Sequence, residues 1–449
     1  MRFLPHTTDD ISSMLETIGV DSIEALVAHV PADLRAGAAI NLASGRSEQE
    51  VVAMISALAS RNAGANGFKS FQGGGYYRHY VPAAVRAIVS RAEFATSYTP
   101  YQAEASQGTL QAVFEFQTLI CQLTGLEVAN ASMYDGASAA AEAVLMARRM
   151  NPKRRVVAIS RALWPDYRIA ICTYLSALKE VEIVELPFDA ASGSTDLSEI
   201  RKIADQNLLC VVAGYPNGFG VIEPLAQIAA ISRPANAALI SATAEPLALA
   251  LLKSPAGLGV DIAVGEGQSF GLPLQYGGPG VGFMAARLAY LRQMPGRLVG
   301  QTRDRDGNRA FSLTLATREQ HIRREKATSN ICTNHSLCAL AVAAYLSLLG
   351  RQGLRELAAE NCELAQATAR ALDLRGLRRR FSSSFFNEFA VDVGDASAAL
   401  AVAEKNHILA GIDLGRDYPE LRGSLLVCAT ELNSESEIAE LCDSLAEAL

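Results

Sequence analysis

Residues suited to chemistry fall in three places along this chain of 449 residues. The first is Gly136-Ala137-Ser138, which follows the turn Met133-Tyr134-Asp135 and opens an alanine-rich segment. Small residues at a helix start leave backbone N–H groups free at the positive end of the helix dipole, which makes a cradle for an anion such as phosphate. Many ordinary helices start the same way, so the pattern alone leaves both readings open. The second place is Tyr98-Thr99-Pro100-Tyr101-Gln102, extended around its proline, with Ser106 expected to cap a helix from Gln107 to Leu123. The third is Gly265 to Ser269, where the apolar run Ile262-Ala263-Val264 gives way to a glycine-rich loop carrying Gln268. A lysine in such a place could form an imine with an aldehyde, whereas a glutamine amide cannot. None of Lys69, Lys153, Lys179, Lys202, Lys253, Lys326 and Lys405 follows an apolar strand into a glycine loop.

Other chemistries have less support. His6, His29, His79, His321, His335 and His407 lack metal-ligand spacing. His79, just after Tyr76 and Tyr77, could face a site, but a hydrogen-bonded structural role is expected. Ser106 and Ser138 have no neighbouring base to activate a hydroxyl. Arg318, Arg323, Arg324 and Lys326 form a basic cluster, either solvated or a seat for a partner's carboxylates. A dinucleotide-binding oxidoreductase would need a G-x-G-x-x-G turn after its first strand, and the chain has none there.

Bulk properties narrow the class. A net charge of −7 argues against a nucleic-acid protein. The eight cysteines include no C-x-x-C pair, which predicts reduced thiols. The opening MRFLPHTTDD has no apolar signal core, and no apolar run reaches the ~20 residues of a membrane span. The expectation is a cytoplasmic chain without membrane or nucleic-acid partners.

The elements that must position these residues follow a regular pattern. Residues 1–65 read as a polar-faced helical arm, with Ser47 and Glu50 as a capping box. From Arg155 to Val264, apolar strands alternate with amphipathic helices, which implies an α/β fold with a parallel sheet covered on both faces. Ligands in such sheets lie at the carboxyl ends of the strands, where Tyr215 to Gly218, Ser241 to Thr243 and Gly265 to Ser269 fall. Pro246 to Lys253 reads as a helix, and Leu298 to Ala310 as a polar stretch with a loop at Arg303 to Asp306. A long apolar helix is expected over Leu337 to Leu349, punctuated by Gly350 and Gly353. The resulting division is a large domain over 66–310 and a small C-terminal α/β domain over 311–449.

Several of these blocks resemble one family. Ser269, Phe270, Pro273 and Gly277-Gly278-Pro279-Gly280 fit the lysine segment of the glycine cleavage system P-protein, in which a lysine stands where this chain has Gln268. The segments Glu93 to Glu142 and TREQHIRREKATSNICTN (Thr317 to Asn334) are similar to that family as well, and the resemblance covers nearly the whole chain. The branch resembled is the amino-terminal half, which in many bacteria is a separate subunit 1. The resemblance implies a pyridoxal-phosphate (PLP) transferase fold of type I, like aspartate aminotransferase. It also implies that PLP sits on the lysine of a subunit 2 and that glycine is decarboxylated there, with the aminomethyl group passing to lipoylated H-protein. T- and L-proteins are functionally linked partners, and a two-plus-two tetramer fits. In this chain Gly136, Ala137, Ser138 and Gln268 would be a vestigial cofactor loop. Tyr98, Thr99, Tyr101, Gln102 and Ser106 are the candidates lent to the partner's active site. The strand Leu239 to Thr243 ends without the aspartate that pairs with a pyridinium nitrogen, and Glu245 reads as a first-turn carboxylate of the next helix. A free-standing PLP-dependent transferase and a purely structural subunit are the alternatives.

Overall fold

The computed structural model describes residues 5–38, 42–62, 64, 67–205 and 207–448. The chain forms two compact units, Met1–Asn66 and Gly67–Leu449. The first holds α1 (Thr8–Ile18), α2 (Ile23–Leu26), α3 (Ala32–Gly37) and α4 (Glu48–Ala59). Capping boxes start α1 and α4: Thr7 pairs with Asp10, and Ser47 with Glu50. Within this helical arm α2 is short, and Val27 closes it with a bond three residues back to Glu24 O. Among the described residues, none in α1 to α4 is buried, so these helices build no core of their own.

The second unit begins with β1 (Lys69–Ser70), α5 (Ala83–Val89), α6 (Ala92–Ala95), α7 (Gln107–Thr124), β2 (Val128–Ala129) and α8 (Gly136–Met150). The alternating part follows as β3 (Val156–Ser160), α9 (Pro165–Leu175), β4 (Glu182–Leu186), α10 (Leu197–Ile203), β5 (Leu208–Gly214), α11 (Leu225–Ser232), β6 (Ala238–Thr243) and β7 (Ile262–Glu266). Next come β8 (Gly282–Ala286), β9 (Leu298–Arg303), β10 (Arg309–Thr314), α12 (Gln320–Arg323) and α13 (Ser336–Asp373). The chain closes with β11 (Glu388–Asp392), α14 (Ala396–Lys405), β12 (Ile408–Leu409), β13 (Ile412–Asp413), β14 (Ser424–Cys428) and α15 (Glu435–Glu447).

Seven strands form the main sheet in the order β2-β8-β7-β6-β5-β3-β4. The strands from β4 across to β7 are parallel, and β8 runs antiparallel to both of its neighbours, β7 and β2. The reason lies in the connection after β7: it contains no helix, so the chain returns as an antiparallel neighbour instead of crossing over. Both faces of the sheet are buried along the central strands β3, β5, β6 and β7, whereas the edge strand β4 is largely exposed. Along β3, Val157 and Ile159 enter one apolar cluster, and Val156 and Ala158 the other. Along β7, Ile262 and Val264 face the cluster formed with α8, while Ala263 faces the cluster that includes α13 residues. Each fully buried valine in these strands contributes roughly 1.5–3 kcal/mol of hydrophobic stabilisation.

Two segments depart from the sequence reading, and a third keeps its expected break at Gly350 but extends beyond it. Pro246 to Lys253 forms only a 3-10 turn, Pro246–Ala250, with bonds three residues apart such as Ala248 N to Glu245 O. The stretch expected to be polar and loop-like is a hairpin: β9 and β10 pair from Leu298↔Thr314 to Arg303↔Arg309, with residues 310 and 311 both inside β10. Its turn is tied by Asp304, whose Oδ1 accepts the Asp306 and Asn308 N–H groups, and Gly307 takes φ 85°. The long helix α13 has 38 residues and is long and apolar enough to cross a membrane, but Gly350 breaks it and Ala339, Val342, Tyr345 and Leu346 pack into the sheet core. A three-stranded antiparallel sheet, β11-β14-β13, forms a separate cluster with α14 and α15.

Candidate functional site

The carboxyl ends of β6 and β7, the start of α8 and the glycine loop of 73–75 converge. Glycines permit the approach. A Cβ on Gly265 would lie 2.2 Å from Thr243 O, one on Gly282 2.3 Å from Asp135 O, and one on Gly136 1.9 Å from the Tyr167 hydroxyl. Asp135 caps α8: its Oδ1 accepts Ser138 N at 2.7 Å, and Ser138 Oγ accepts Asp135 N at 3.3 Å. Ser138 is therefore committed to the cap, and Ala137 is half-buried against the α8 cluster.

The anion cradle read from the sequence is present, and the chain fills it itself. Glu266, only 2% exposed, reaches across from β7, and its Oε2 accepts Gly136 N at 3.1 Å. Its Oε1 accepts Gln268 N at 3.1 Å and Val281 N at 2.7 Å. Burial pushes this carboxyl up to about 7, while the three N–H donors pull it down. Glu266 carries no recognisable motif in the sequence. The available signal was a carboxylate set between Gly265 and Gly267 at the end of an apolar strand.

Gln268 is buried and holds two loops together. Its Oε1 accepts Tyr77 N at 2.9 Å, and its Nε2 donates to Leu272 O at 2.7 Å. Beyond it Phe270 packs fully buried near Tyr345. The glycine loop is anchored by Glu388, which accepts Gly74 N at 2.9 Å and the Tyr77 hydroxyl at 2.7 Å. A Cβ on Gly73 would meet Glu388 Oε2 at 2.5 Å, so this glycine is needed for the close approach.

His79 bridges two carboxylates, Glu245 at 2.9 Å from Nε2 and Glu431 at 2.9 Å from Nδ1. Burial alone would lower its pKa, but the two acids outweigh that and hold it up at about 10. Glu245 caps the 3-10 turn by accepting Leu247 N at 3.1 Å, and also accepts Asn387 Nδ2 at 3.2 Å. It is thus a first-turn carboxylate, with the further task of neutralising His79.

PLP would need an amine near position 268, a free phosphate cradle at 136–138 and a free carboxylate at the end of β6. Here position 268 carries an amide, Glu266 occupies the cradle, and the oxygens of Glu245 are already bonded. The residues present do not fit a covalently held PLP.

The segment from Tyr98 to Ser106 lies elsewhere on the same unit. Tyr98 is 81% exposed, Gln102 is exposed, and Thr99 is half-buried with its carbonyl accepting Tyr101 N at 2.8 Å. Tyr101 is fixed by Arg297, which donates to its hydroxyl at 3.0 Å and lies 5.1 Å from its ring centroid. Arg297 also approaches Asn334, which donates to Ala131 O and the Ser132 hydroxyl just ahead of α8. Ser106 occupies the N-cap position of α7, but its hydroxyl makes no cap bond, contrary to the sequence expectation.

This geometry has relatives. Residues 1–445 match the family model of the glycine cleavage system P-protein. The probable glycine dehydrogenase (decarboxylating) subunit 1 of Anaeromyxobacter dehalogenans (strain 2CP-C) is 50% identical over 436 residues, 96% of this chain and 97% of that protein. The protein of the same description from Geobacillus kaustophilus (strain HTA426) is 47% identical over 448 residues, 99% of each chain. A crystal structure of glycine decarboxylase (P-protein) of the glycine cleavage system, in inhibitor-bound form, is similar with a TM-score of 0.91 and 42% identity over 100% of both chains. A Burkholderia pseudomallei K96243 sphingosine-1-phosphate lyase, 17% identical with a TM-score of 0.67 over 91% of this chain and 92% of its own, shares the fold alone. The fold is the type I PLP-transferase fold, and by its full-length match the chain belongs to the glycine cleavage system P-protein family.

Proposed function

We propose that the chain is subunit 1 of a glycine decarboxylase of the glycine cleavage system and that a homologous subunit 2 carries PLP on its own lysine. The activity so assigned removes the glycine carboxylate as CO2 and passes the aminomethyl group to the lipoyl arm of H-protein, in a pathway shared with T- and L-proteins. The observation that carries this reading is the pairing of Gln268 with Glu266: the amine is missing, and the chain's own carboxylate stands where a phosphate would. A free-standing PLP-dependent transferase would need both positions open. The three-part division at 65/66 and 310/311 and a two-plus-two assembly go with this proposal. A cytoplasmic setting goes with the unpaired cysteines.

Within the assembly, Tyr98, Thr99, Tyr101, Gln102 and Ser106 are proposed to reach the partner's site. Arg297 holds Tyr101 while Tyr98 stays open to solvent, which supports a presented segment over a packed one. A purely structural subunit is the second reading. The test is co-expression with a candidate subunit 2, followed by glycine–bicarbonate exchange with and without this chain. Exchange that is undiminished without the chain sinks the proposal. Tyr98→Ala or Tyr101→Phe leaving turnover of the assembled enzyme unchanged would favour the structural reading.

A further inference from the structure

A cleft of about 380 Å³ opens between the end of α8, the turn before β9 and the segment from 315 to 328. Arg149, Arg292, Arg318, Arg323 and Lys326 line it, and none of its lining residues is acidic. In a chain of net charge −7 this is a marked local excess of positive charge.

Two of the guanidinium groups are fixed in place. Arg318 donates to the carbonyls of Leu315 at 3.1 Å, Gly296 at 3.2 Å and Met294, and Arg149 donates to Gln293 O at 3.0 Å. These bonds orient both groups without neutralising them. Among the described residues, Arg292, Arg318, Arg323 and Lys326 have no carboxylate oxygen within 4.0 Å of a side-chain nitrogen, and Arg149 has only Glu142, at 3.9 Å. The acids nearby in sequence offset these charges only in part, Glu142 at Arg149 and Glu319 at Arg318, and their hydrogen bonds and ion pairs go mainly to other groups. Glu142 accepts the Ser329 hydroxyl, Glu319 is turned to Arg297 and His321, and Glu325 is exposed. Arg149 and Arg318 repel each other, burial disfavours the charge on both, and Arg149 Nε is buried without a partner. Fixed, partly desolvated like charges around an open cleft are relieved by a multiply charged anion.

We propose that this cleft binds a small phosphate-bearing anion, such as a phosphate monoester with a short organic part. Arginine forks match the geometry of phosphate and carboxylate alike. The number of unneutralised cations favours the dianion over a single carboxylate, and the volume is that of a small-molecule site. The inference stands apart from the decarboxylase reading, because it concerns binding to this chain alone.

The test is calorimetric titration of the full chain with inorganic phosphate and with glycerol phosphate, against acetate and chloride at matched ionic strength. The expected result is saturable phosphate binding, with acetate at least tenfold weaker. Arg323→Gln with Lys326→Gln removes two exposed cations, leaves the core untouched and should weaken phosphate binding at least tenfold at an unchanged melting temperature. Arg292→Gln, also exposed, is the second variant and should weaken it several-fold. Arg305→Gln removes the same charge from a side chain 93% exposed in the turn between β9 and β10 and should change nothing. Phosphate binding no stronger than the effect of chloride, acetate binding as tight as phosphate, or equal weakening by Arg305→Gln would overturn the proposal.

Discussion

Replacing Gln268 with lysine asks whether the site lacks only its amine. The glutamine accepts from Tyr77 N and donates to Leu272 O inside a buried loop. In Gln268→Lys the ammonium can keep the second bond but not the first, since it cannot accept. An unpaired buried N–H costs about 1–3 kcal/mol. The new cation must also be desolvated, which the neighbouring Glu266 carboxylate partly offsets, so the total is about 2–4 kcal/mol. With ~2.1 cal/mol/K of unfolding entropy per residue, a unit of this length unfolds with about 0.8 kcal/mol/K, so the melting temperature should fall by ~3–5 °C. Added PLP should give no borohydride-fixed adduct, because a phosphate group would have to displace Glu266 from Gly136 N and sit against its charge. Glycine should release no CO2 with this variant alone. Scanning calorimetry, absorbance after reduction and trapped CO2 are the three readouts. Combining Gln268→Lys with Glu266→Ala separates the two obstacles, and an adduct is expected only in the double variant. A stoichiometric adduct at position 268 in the single variant would refute the claim that the cradle is closed.

Three further outcomes are expected. Burial raises the Glu266 carboxyl from 4.5 in the unfolded chain to about 7, so its contribution is greatest below pH 4.5 and is lost as pH rises through 7. Urea titrations between pH 5 and 8 should therefore show a shallower fall in stability for Glu266→Gln, by up to ~1.4 kcal/mol per pH unit; an unchanged slope would contradict the assignment. His79→Gln leaves Glu245 and Glu431 buried without their cation and should cost ~3–5 kcal/mol, read as a drop of about 4–6 °C in melting temperature, and a drop under 1 °C would rule out the bridging role. Gly136→Ala drives a methyl into Tyr167 and should destabilise by ~1–3 kcal/mol, whereas Gly108→Ala, with nothing within 4 Å, should be neutral or stabilising by up to about 1 kcal/mol; equal effects would mean the α8 start is looser than its packing implies.

Local chemistry made much of the molecule readable from its residues. The runs at 156–159, 208–213 and 262–264 read as buried strands because they are short and apolar on both faces, which leaves no face for water. The Ser47–Glu50 box named a helix start because both of its bonds lie within three residues. The amide at position 268 excluded an imine whatever surrounds it. The β9–β10 hairpin is not legible although Asp306-Gly307 is a turn signal, because β9 reads Leu298-Val299-Gly300-Gln301-Thr302-Arg303, buried at one end and exposed at the other, and lacks the alternation of a half-exposed strand.

What fills the site was decided in three dimensions. Glu266 and Gly136 are 130 positions apart, and only the strand order of the sheet brings that carboxylate to that helix start. His79 meets acids 166 and 352 residues away, and Arg149 and Arg318 share a cleft because the turn before β9 folds against α8. The sequence determines which groups can carry charge or donate a hydrogen bond, and periodicity shows which faces are buried. Which acid neutralises which donor depends on distances of a few ångströms between segments far apart in the chain, and those distances are set only when the sheet and its covering helices pack.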